Sequence, residues 1–292
     1  MHLLVDGDLL IFRCGFAAER MEYRVCYVDA PSGEDVSLWC ENKKSADELA
    51  ANLGKRGIVC SIVGERRLEP VAHANKNVRQ LLSAIEEAVD PSKMTVFFSG
   101  GKNFRYELAT IKPYKGNRVN TARPTHEEGM KEYVRKSYDS YTTDGQEADD
   151  ELGIRQWTSF LEDPFSSCIA SADKDLRMIP GLHYNFLKDA PASYVDEVDA
   201  MRTFMKQWMT GDSTDNIPGV PKVGPATAEK KLAGCETAEQ MLGAVQDLYV
   251  QGYGDAWESA MLENGRLIWI RRQQDELFDQ RTITTYGTSR GL

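Results

Sequence analysis

Residues 211–231 read GDSTDNIPGVPKVGPATAEKK, and this stretch combines an acidic front half with a turn. Asp212 and Asp215 stand three apart, so a helix end or tight turn places both carboxylates on one side, an arrangement that suits a hard divalent cation. The Pro/Gly-rich run that follows, with a helix start after it, predicts a helix-hairpin-helix turn whose backbone amides face phosphate. The alternative is a surface loop in which both Asp side chains cap helices.

The composition leaves an enzyme possible and excludes several other classes. With 292 residues, the chain can bury a full core as one large α/β domain or two smaller ones. A net charge of −10 disfavours a general nucleic-acid coat protein, yet it allows acids gathered around metal beside a local basic track. The 6 Cys and 4 His show no zinc spacing. Asp6 and Asp8 interrupt the N-terminal apolar run, so we expect a soluble cytoplasmic protein without a signal peptide or membrane span.

Acidic residues also follow predicted strands or open a predicted helix at three other places. The segment 2–6 is a strand that ends at Asp6, the strand at 168–172 precedes Asp173 and Asp175, and a helix opens with Glu147, Asp149 and Asp150. Each acid has an alternative role as a helix cap. Because the carboxyl ends of parallel strands meet at one edge of a sheet, we predict instead that these acids share a metal site.

The stretch 102–123 is basic, with aromatic residues between the cations and with Glu107 as its one acid. Cations track a phosphate backbone and aromatic rings stack on exposed bases, so this stretch is the predicted nucleic-acid contact. A solvated charged face is the alternative. The residues concerned are Lys102, Phe104, Arg105, Tyr106, Lys112, Tyr114, Lys115, Arg118 and Arg123.

The remaining patterns predict secondary structure rather than chemistry. Short apolar runs between 19 and 75 indicate a β-rich insertion with a helix at 45–53, and a further strand is predicted at 94–98. Helices are predicted at 77–89, 201–209, 237–249, 255–263 and 264–278, with a frayed tail at 282–292.

The motifs VDG, FR with YKGNR, EADD, SADKD and GDSTDNIPGV occur in one order, and in that order the chain resembles the 5′-nucleases. These are bacteriophage 5′→3′ exonucleases, flap endonucleases and the matching domain of bacterial DNA polymerase I. The resemblance runs from Leu3 to about Leu232 outside the insertion, and 264–267 is similar to the family's tail. It implies an α/β fold, a PIN-like core with a central mostly parallel sheet flanked by helices, at 1–205. That core would carry the insertion at about 19–75 and a helical arch at about 113–140, and a helical region with the helix-hairpin-helix turn would occupy 206–292.

The resemblance also implies a metal-dependent 5′→3′ exonuclease with flap endonuclease activity, acting on DNA near a free 5′ end by a two-metal-ion mechanism. Lys115 and Arg118 match the family's basic pair at the scissile phosphate, Tyr114 the aromatic that stacks on a base, and Arg105 a further phosphate contact. The ligands of two Mg²⁺ or Mn²⁺ ions would be Asp6, Glu147, Asp149, Asp150, Asp173, Asp175, Asp212 and Asp215.

The turn at 219–224 is similar to the family's helix-hairpin-helix, which binds duplex DNA, and often a K⁺ ion through backbone carbonyls, without reading bases. The expected partner is DNA with a 5′ flap or 5′ end, or an RNA primer–DNA hybrid. We expect a monomer with a part in DNA replication, in the host cell cytoplasm if the chain is of phage origin. The expected DNA contacts are Lys102, Lys112, Arg123, Gly219, Val220, Lys222, Val223, Gly224, Lys230 and Lys231.

Two positions depart from the family pattern. Ser99, Gly100 and Gly101 stand where the family has an Asp, so one ligand of the first metal site is missing. Ala226 stands where the family commonly has Lys. Two alternatives follow: a DNA-structure-binding protein that has lost catalysis, which Gly100 favours, and a related metal-dependent ribonuclease, against which the hairpin turn argues.

Overall fold

A computed structural model describes residues 1–29, 31–119 and 121–283 of the chain. The strands are β1 (His2–Asp6), β2 (Glu19–Val28), β3 (Asp35–Cys40), β4 (Cys60–Leu68), β5 (Lys93–Phe98), β6 (Ser140–Thr142), β7 (Ser167–Ala170), β8 (Gly181–Tyr184) and β9 (Ser193–Val195). The helices are α1 (Gly7–Phe16), α2 (Lys43–Lys55), α3 (Val71–Val89), α4 (Arg105–Leu108), α5 (Glu127–Ser137), α6 (Ala148–Glu162), α7 (Glu197–Thr210), α8 (Pro225–Leu232), α9 (Ala238–Tyr253) and α10 (Trp257–Ile268).

The chain divides into two compact units, and three helices cross from one to the other. The larger unit comprises residues 1–10, 82–122 and the described residues from Val134 onward, and the smaller comprises 11–81 and 123–133. In this division the sheet and the helices after residue 205 belong to one unit. The domains predicted from the sequence divide the chain differently, and their boundaries stay a prediction.

The larger unit is built on a six-stranded sheet in the order β6-β5-β1-β7-β8-β9. All neighbours pair in parallel except β8 and β9, which are antiparallel. In β1, Leu3, Leu4 and Val5 are all buried, so both faces of this central strand are covered. A continuous apolar run is typical of such a strand, and parallel strands joined through helices direct their carboxyl ends to one edge of the sheet.

Helices α6, α7, α9 and α10 complete the core of the larger unit. Phe204, Trp208, Trp269 and Phe278 form an aromatic cluster with ring centroids 4.9–5.3 Å apart. Helix α6 begins with a capping box, in which Glu147 and Asp150 satisfy each other's backbone amides, and α9 begins with another formed by Thr237 and Gln240.

The smaller unit contains an antiparallel sheet in the order β3-β2-β4, with α2 packed on one face. Val25, Ala46 and Leu53 form its buried contact, joined at the edges by Tyr23 and Tyr27. Alternate residues of β2 therefore face the helix, as the period of a half-buried strand requires.

The α/β fold with a mostly parallel sheet flanked by helices is confirmed. One element was predicted wrongly: 264–278 is no separate helix, because α10 continues from Trp257 to Ile268 and then ends in an extended residue, Trp269. Most of the predicted frayed tail lies outside the described residues, as does position 120 of the predicted arch. No helix in the described ranges is both long and apolar enough to cross a membrane.

Candidate active site

The carboxyl edge of the parallel sheet carries the first group of predicted acids. Asp6 is the last residue of β1 and is almost fully buried. Its carboxylate accepts hydrogen bonds from the Leu9 amide, at 3.0 Å, and from the Ser171 hydroxyl beyond β7, at 2.7 Å. Asp6 therefore caps α1, as the alternative interpretation proposed, and at the same time ties the ends of β1 and β7 together.

The charges of Asp6, Asp149 and Asp173 act on one another at this edge. Burial, together with the charges of Asp8 and Asp173, raises the pKa of Asp6 to about 6, against the hydrogen bonds from Ser171 and Leu9 that lower it. Burial also raises the pKa of Asp149 well above its usual range, with the charges of Asp6 and Asp173 as the next causes. Carboxylates that repel one another in a poorly solvated place gain from a bound cation, which removes the cost of their charge.

Asp173, Asp175 and Asp212 extend the acidic edge beyond β7. The Asp173 carboxylate accepts the Asp175 amide at 2.8 Å, so the turn between them is closed by the first acid. Burial raises the pKa of Asp175 to about 6, with the charge of Asp173 next in importance. Burial would lower the pKa of Lys174, but the carboxylates of Asp175, Asp212 and Asp173 raise it instead.

A second group joins Glu147 and Asp215 to the basic loop. The Tyr114 hydroxyl lies 3.0 Å from Glu147 Oε2 and 2.9 Å from Asp215 Oδ2. The Lys115 ammonium donates to Glu147 and lies 3.8 Å from Asp215, and the Arg118 guanidinium donates to Asp215. The predicted basic pair is thus placed directly against two of the predicted acids.

Backbone contacts fix the loop 113–118 to the loop 213–216. The Lys115 amide donates to the Asp215 carbonyl at 2.9 Å, and Lys115 itself has a left-handed backbone with φ 54°. The Asn117 side chain donates to the Ser213 carbonyl at 2.7 Å, and the Asn216 side chain donates to the Pro113 carbonyl at 2.9 Å. These reciprocal bonds hold the basic pair beside Glu147 and Asp215.

Arg105 and Asp150 have structural roles, which corrects two of the predictions. Both are fully buried, and they form a two-point ion pair with distances of 2.6 and 2.8 Å. Arg105 also donates to the carbonyls of Leu267 and Trp269, and its burial leaves the guanidinium without a surface that a phosphate could reach. Burial opposes the charge of Asp150, but Arg105 lowers the pKa of Asp150 below its usual range and keeps it ionised. A carboxylate already neutralised in this way is a poor candidate for a metal ligand.

Tyr114 is also placed differently from the prediction. Its ring is only 4% exposed and packs edge-on against Tyr106, with ring centroids 5.4 Å apart. A ring covered in this way cannot stack on a base. Its hydroxyl between Glu147 and Asp215 makes Tyr114 a support for those two carboxylates.

Asp8, which was not among the predicted ligands, lies beside the position where the family has an Asp. Gly100 has no room for a side chain, since a Cβ there would lie 2.0 Å from the Thr143 carbonyl oxygen. The neighbouring Ser99 amide donates to the Asp8 carboxylate at 2.9 Å. The signal was present, because Asp6 and Asp8 have the same spacing as Asp173 and Asp175.

The turn at 219–224 lies between α7 and α8, as expected for the helix-hairpin-helix. Gly211 and Gly219 have positive φ angles and lie so close together that a Cβ on Gly219 would come within 2.1 Å of the Gly211 nitrogen. Val220 is buried and its amide donates to the Met209 carbonyl, which corrects its prediction as a DNA contact. The Gly219 carbonyl accepts the Tyr253 hydroxyl at 2.6 Å.

The remaining predicted DNA contacts fall into three sets. Lys222, Lys230 and Lys231 are exposed around the turn, where Val223 and Gly224 are half-buried. Lys102 and Lys112 are exposed on either side of α4. Arg123 belongs to the smaller unit, where it forms an ion pair of 2.9 Å with Glu127.

These carboxylates are suitable ligands for a divalent metal ion, because all of them are hard oxygen donors. Repulsion from neighbouring carboxylates also raises the pKa values of several of them, and a bound cation would relieve that repulsion. The arrangement is not a finished metal site: within the described part of the chain, no three Asp, Glu, His or Cys side chains converge closely enough to hold an ion. Glu147 and Asp215 face the cations Lys115 and Arg118 instead. The structure thus gathers the acids along one edge without closing them around a centre.

The chain is similar in sequence to DNA polymerase I of several bacteria. It is 33% identical over 227 residues to DNA polymerase I of Streptococcus pneumoniae, covering 71% of this chain and 24% of that one. It is 30% identical over 191 residues to DNA polymerase I of Bacillus subtilis, covering 58% and 21%. The chain thus spans a quarter or less of the length of these relatives. No family model matches the sequence.

Solved structures with the same fold come from bacteriophage T5. The T5 5′-exonuclease aligns with a TM-score of 0.54 at 14% identity, over 91% of this chain and 86% of that one. The T5 flap endonuclease, in a pseudo-enzyme–product complex with DNA and metal ions, aligns with a TM-score of 0.55 at 16% identity, over 91% and 88%. At this identity the likeness establishes the fold.

Proposed function

This chain is a homologue of the 5′-nuclease region of DNA polymerase I with the fold of the T5 5′-exonuclease, and from that premise we propose that it hydrolyses DNA phosphodiesters near a free 5′ end. The activity would include 5′→3′ exonuclease and flap endonuclease cleavage. The observation that supports this proposal best is the acidic edge formed by β1, β7 and the start of α6, together with the ion pairs of Lys115 and Arg118 with Glu147 and Asp215.

The proposed cofactor is a pair of Mg²⁺ or Mn²⁺ ions. Two such ions supply nucleophile activation and charge neutralisation at a phosphodiester. Asp6, Asp149, Asp173, Asp175 and Asp212 would hold them, with Glu147 and Asp215 at the boundary to the basic loop and Asp8 in place of the missing family acid. The proposed K⁺ site at the turn 219–224 would use backbone carbonyls.

Lys115 and Arg118 would bind the oxygens of the scissile phosphate. Burial works against the charge of Lys115, but Glu147 and Asp215 raise its pKa above the usual range, so it stays an ammonium at neutral pH. An incoming phosphate competes with these carboxylates for the same two cations. The pair therefore would stabilise charge that develops on the phosphate during cleavage.

DNA with a 5′ flap or 5′ end is the proposed partner. The exposed lysines Lys102, Lys112, Lys222, Lys230 and Lys231 would contact its phosphates without reading sequence. An RNA primer–DNA hybrid as substrate, a monomeric state and a place in host-cytoplasmic replication also belong to the proposal.

A flap substrate with a labelled 5′ end tests the proposal. We expect cleavage in Mg²⁺, none after chelation, and no cleavage of a single-stranded RNA of the same sequence. Binding without cleavage under all metal conditions would favour a DNA-structure-binding protein instead. Cleavage of the RNA alone would favour the ribonuclease alternative.

Asp8→Asn is expected to raise the Mg²⁺ concentration for half-maximal activity by about tenfold, because Asp8 lies where the family acid is missing. The measurement is an Mg²⁺ titration of flap cleavage. Asp163→Asn, which makes the same charge change at the end of α6, should leave the titration unmoved. An identical titration for both variants and the wild type would remove Asp8 from the site.

Metal removal is expected to make stability depend on pH between about 4 and 7. The pKa values of Asp6 and Asp175 are raised to about 6, so their protonated forms favour the folded state, and that contribution is lost as pH rises through 6. In chelator, Tm should fall by a few °C over this range, and Mg²⁺ at pH 7.5 should restore it. Scanning calorimetry provides the check, with Asp175→Asn as a variant that should lack part of the slope. A flat Tm in chelator would contradict the assignment.

A further inference from the structure

The loop that carries Lys115 is held at two ends, and the two anchors come from different parts of the chain. Beyond Lys115 it is fixed to 213–216, as described above. Before Lys115, the segment 109–113 has no regular secondary structure and is largely exposed. A segment of this kind needs an external partner to keep its direction, because each unfixed backbone residue retains conformational freedom.

Glu263 of α10 provides that partner. One of its carboxylate oxygens accepts the amides of Thr110 and Ile111, each at 2.8 Å. The other oxygen accepts the Thr110 hydroxyl. Three donors on two consecutive residues, five and four positions before Lys115, thus converge on one carboxylate. Hydrogen bonds to an ionised acceptor are stronger than those between neutral groups.

The same helix also supports the acidic side of the site. At the end of α10, the carbonyls of Leu267 and Trp269 accept the Arg105 guanidinium, and Arg105 binds Asp150 in the first turn of α6. Glu147, the partner of Lys115, is the N-cap of that helix. Helix α10 and the residue after it therefore bind both the loop that leads to Lys115 and the arginine that holds the first turn of the helix capped by Glu147.

We propose that Glu263 is a positioning residue, which sets the place of Lys115 relative to Glu147 by fixing the loop 109–113 on α10. The proposal rests on the proposed function, since it assigns Glu263 to the machinery of that cleavage. Glu263 itself is half-buried and would touch neither phosphate nor metal. Its effect would pass through the loop alone, so it should change the rate of cleavage rather than the affinity for DNA.

The test compares Glu263→Ala with Glu258→Ala, an exposed acid on the first turn of the same helix. We expect Glu263→Ala to slow single-turnover flap cleavage by about 10- to 10²-fold, with the DNA Kd within twofold of wild type. Glu263→Gln keeps an acceptor oxygen for both amides and should recover most of the rate. Amide hydrogen exchange at 110–111 should accelerate in Glu263→Ala and stay unchanged in Glu258→Ala.

Thr110→Val removes only the hydroxyl bond and should show a smaller loss of rate, which keeps the proposal testable if Glu263→Ala does not fold. The activity of the wild type distinguishes a failure of the role of Glu263 from a failure of the nuclease proposal. An active wild type with an equally fast Glu263→Ala, or with a loss in Kd alone, would overturn the role of Glu263 and leave the nuclease proposal intact. A wild type that cleaves no flap in Mg²⁺ or Mn²⁺ would overturn both.

Discussion

Asp173→Asn is expected to lower flap cleavage by about 10³-fold or more, while DNA affinity stays within about twofold of wild type. Asp173 is exposed, and its charge contributes to the raised pKa values of Asp6, Asp149 and Asp175. Its charge therefore acts on three other acids, so its loss should affect the whole group. The measurement is a single-turnover rate in Mg²⁺, combined with DNA binding by fluorescence anisotropy in chelator.

Stability gives this variant a second, independent readout. Removing one charge from a group of mutually repelling carboxylates should raise Tm in chelator, although the same change destroys activity. Asp247→Asn on the exposed side of α9 makes an equal charge change and should alter neither quantity. Asp212→Asn should behave like Asp173→Asn. Normal turnover in both variants would end the proposal that these acids hold catalytic metal.

Lys115→Ala is expected to slow the chemical step by a factor on the order of 10² to 10³, and Arg118→Ala by a similar factor. Each removes a cation that the structure holds against Glu147 or Asp215 and that would stabilise charge on the phosphate. Single-turnover rates at saturating enzyme separate this step from binding.

Lys112→Ala supplies the matched control, because Lys112 is exposed on the same loop but has no carboxylate of the acidic edge as a partner in the described contacts. It should weaken binding modestly and leave the single-turnover rate unchanged. If Lys115→Ala lost affinity alone and kept its rate, Lys115 would be a phosphate anchor rather than a contributor to the chemical step.

The sequence predicted which residues lie at the acidic edge better than it predicted which side chains those residues contact. Acids at the ends of β1 and β7 could be assigned to one edge because strand ends follow from apolar runs, and parallel strands share an edge. The ion pair of Arg105 and Asp150 could not be predicted, since the two residues stand 45 positions apart and nothing local indicates which charge meets which.

Three other features depended on packing that no local pattern reports. Tyr114 is a residue type that can stack on a base, but its ring is buried, and its hydroxyl bonds to Glu147 and Asp215, which lie 33 and 101 positions away. Gly100 was recognised as a departure, whereas its steric cause, the Thr143 carbonyl, lies on another strand end. Glu263 lay inside a predicted helix, where a half-exposed glutamate is common. Its contact with the loop 109–113 could not be predicted, because that loop lies about 150 positions away in the sequence.

The pairing of β1 has a consequence for how the chain is made on the ribosome. In the parallel pairing with β5, His2 lies opposite Lys93. In the parallel pairing with β7 on the other edge, His2 lies opposite Ser167. At a synthesis rate of roughly 5–20 residues per second, the edge of β1 that pairs with β7 lacks its neighbour for on the order of ten seconds. During that time the smaller unit can complete its antiparallel sheet from nearby residues, whereas the sheet of the larger unit has to wait for residues far along the chain.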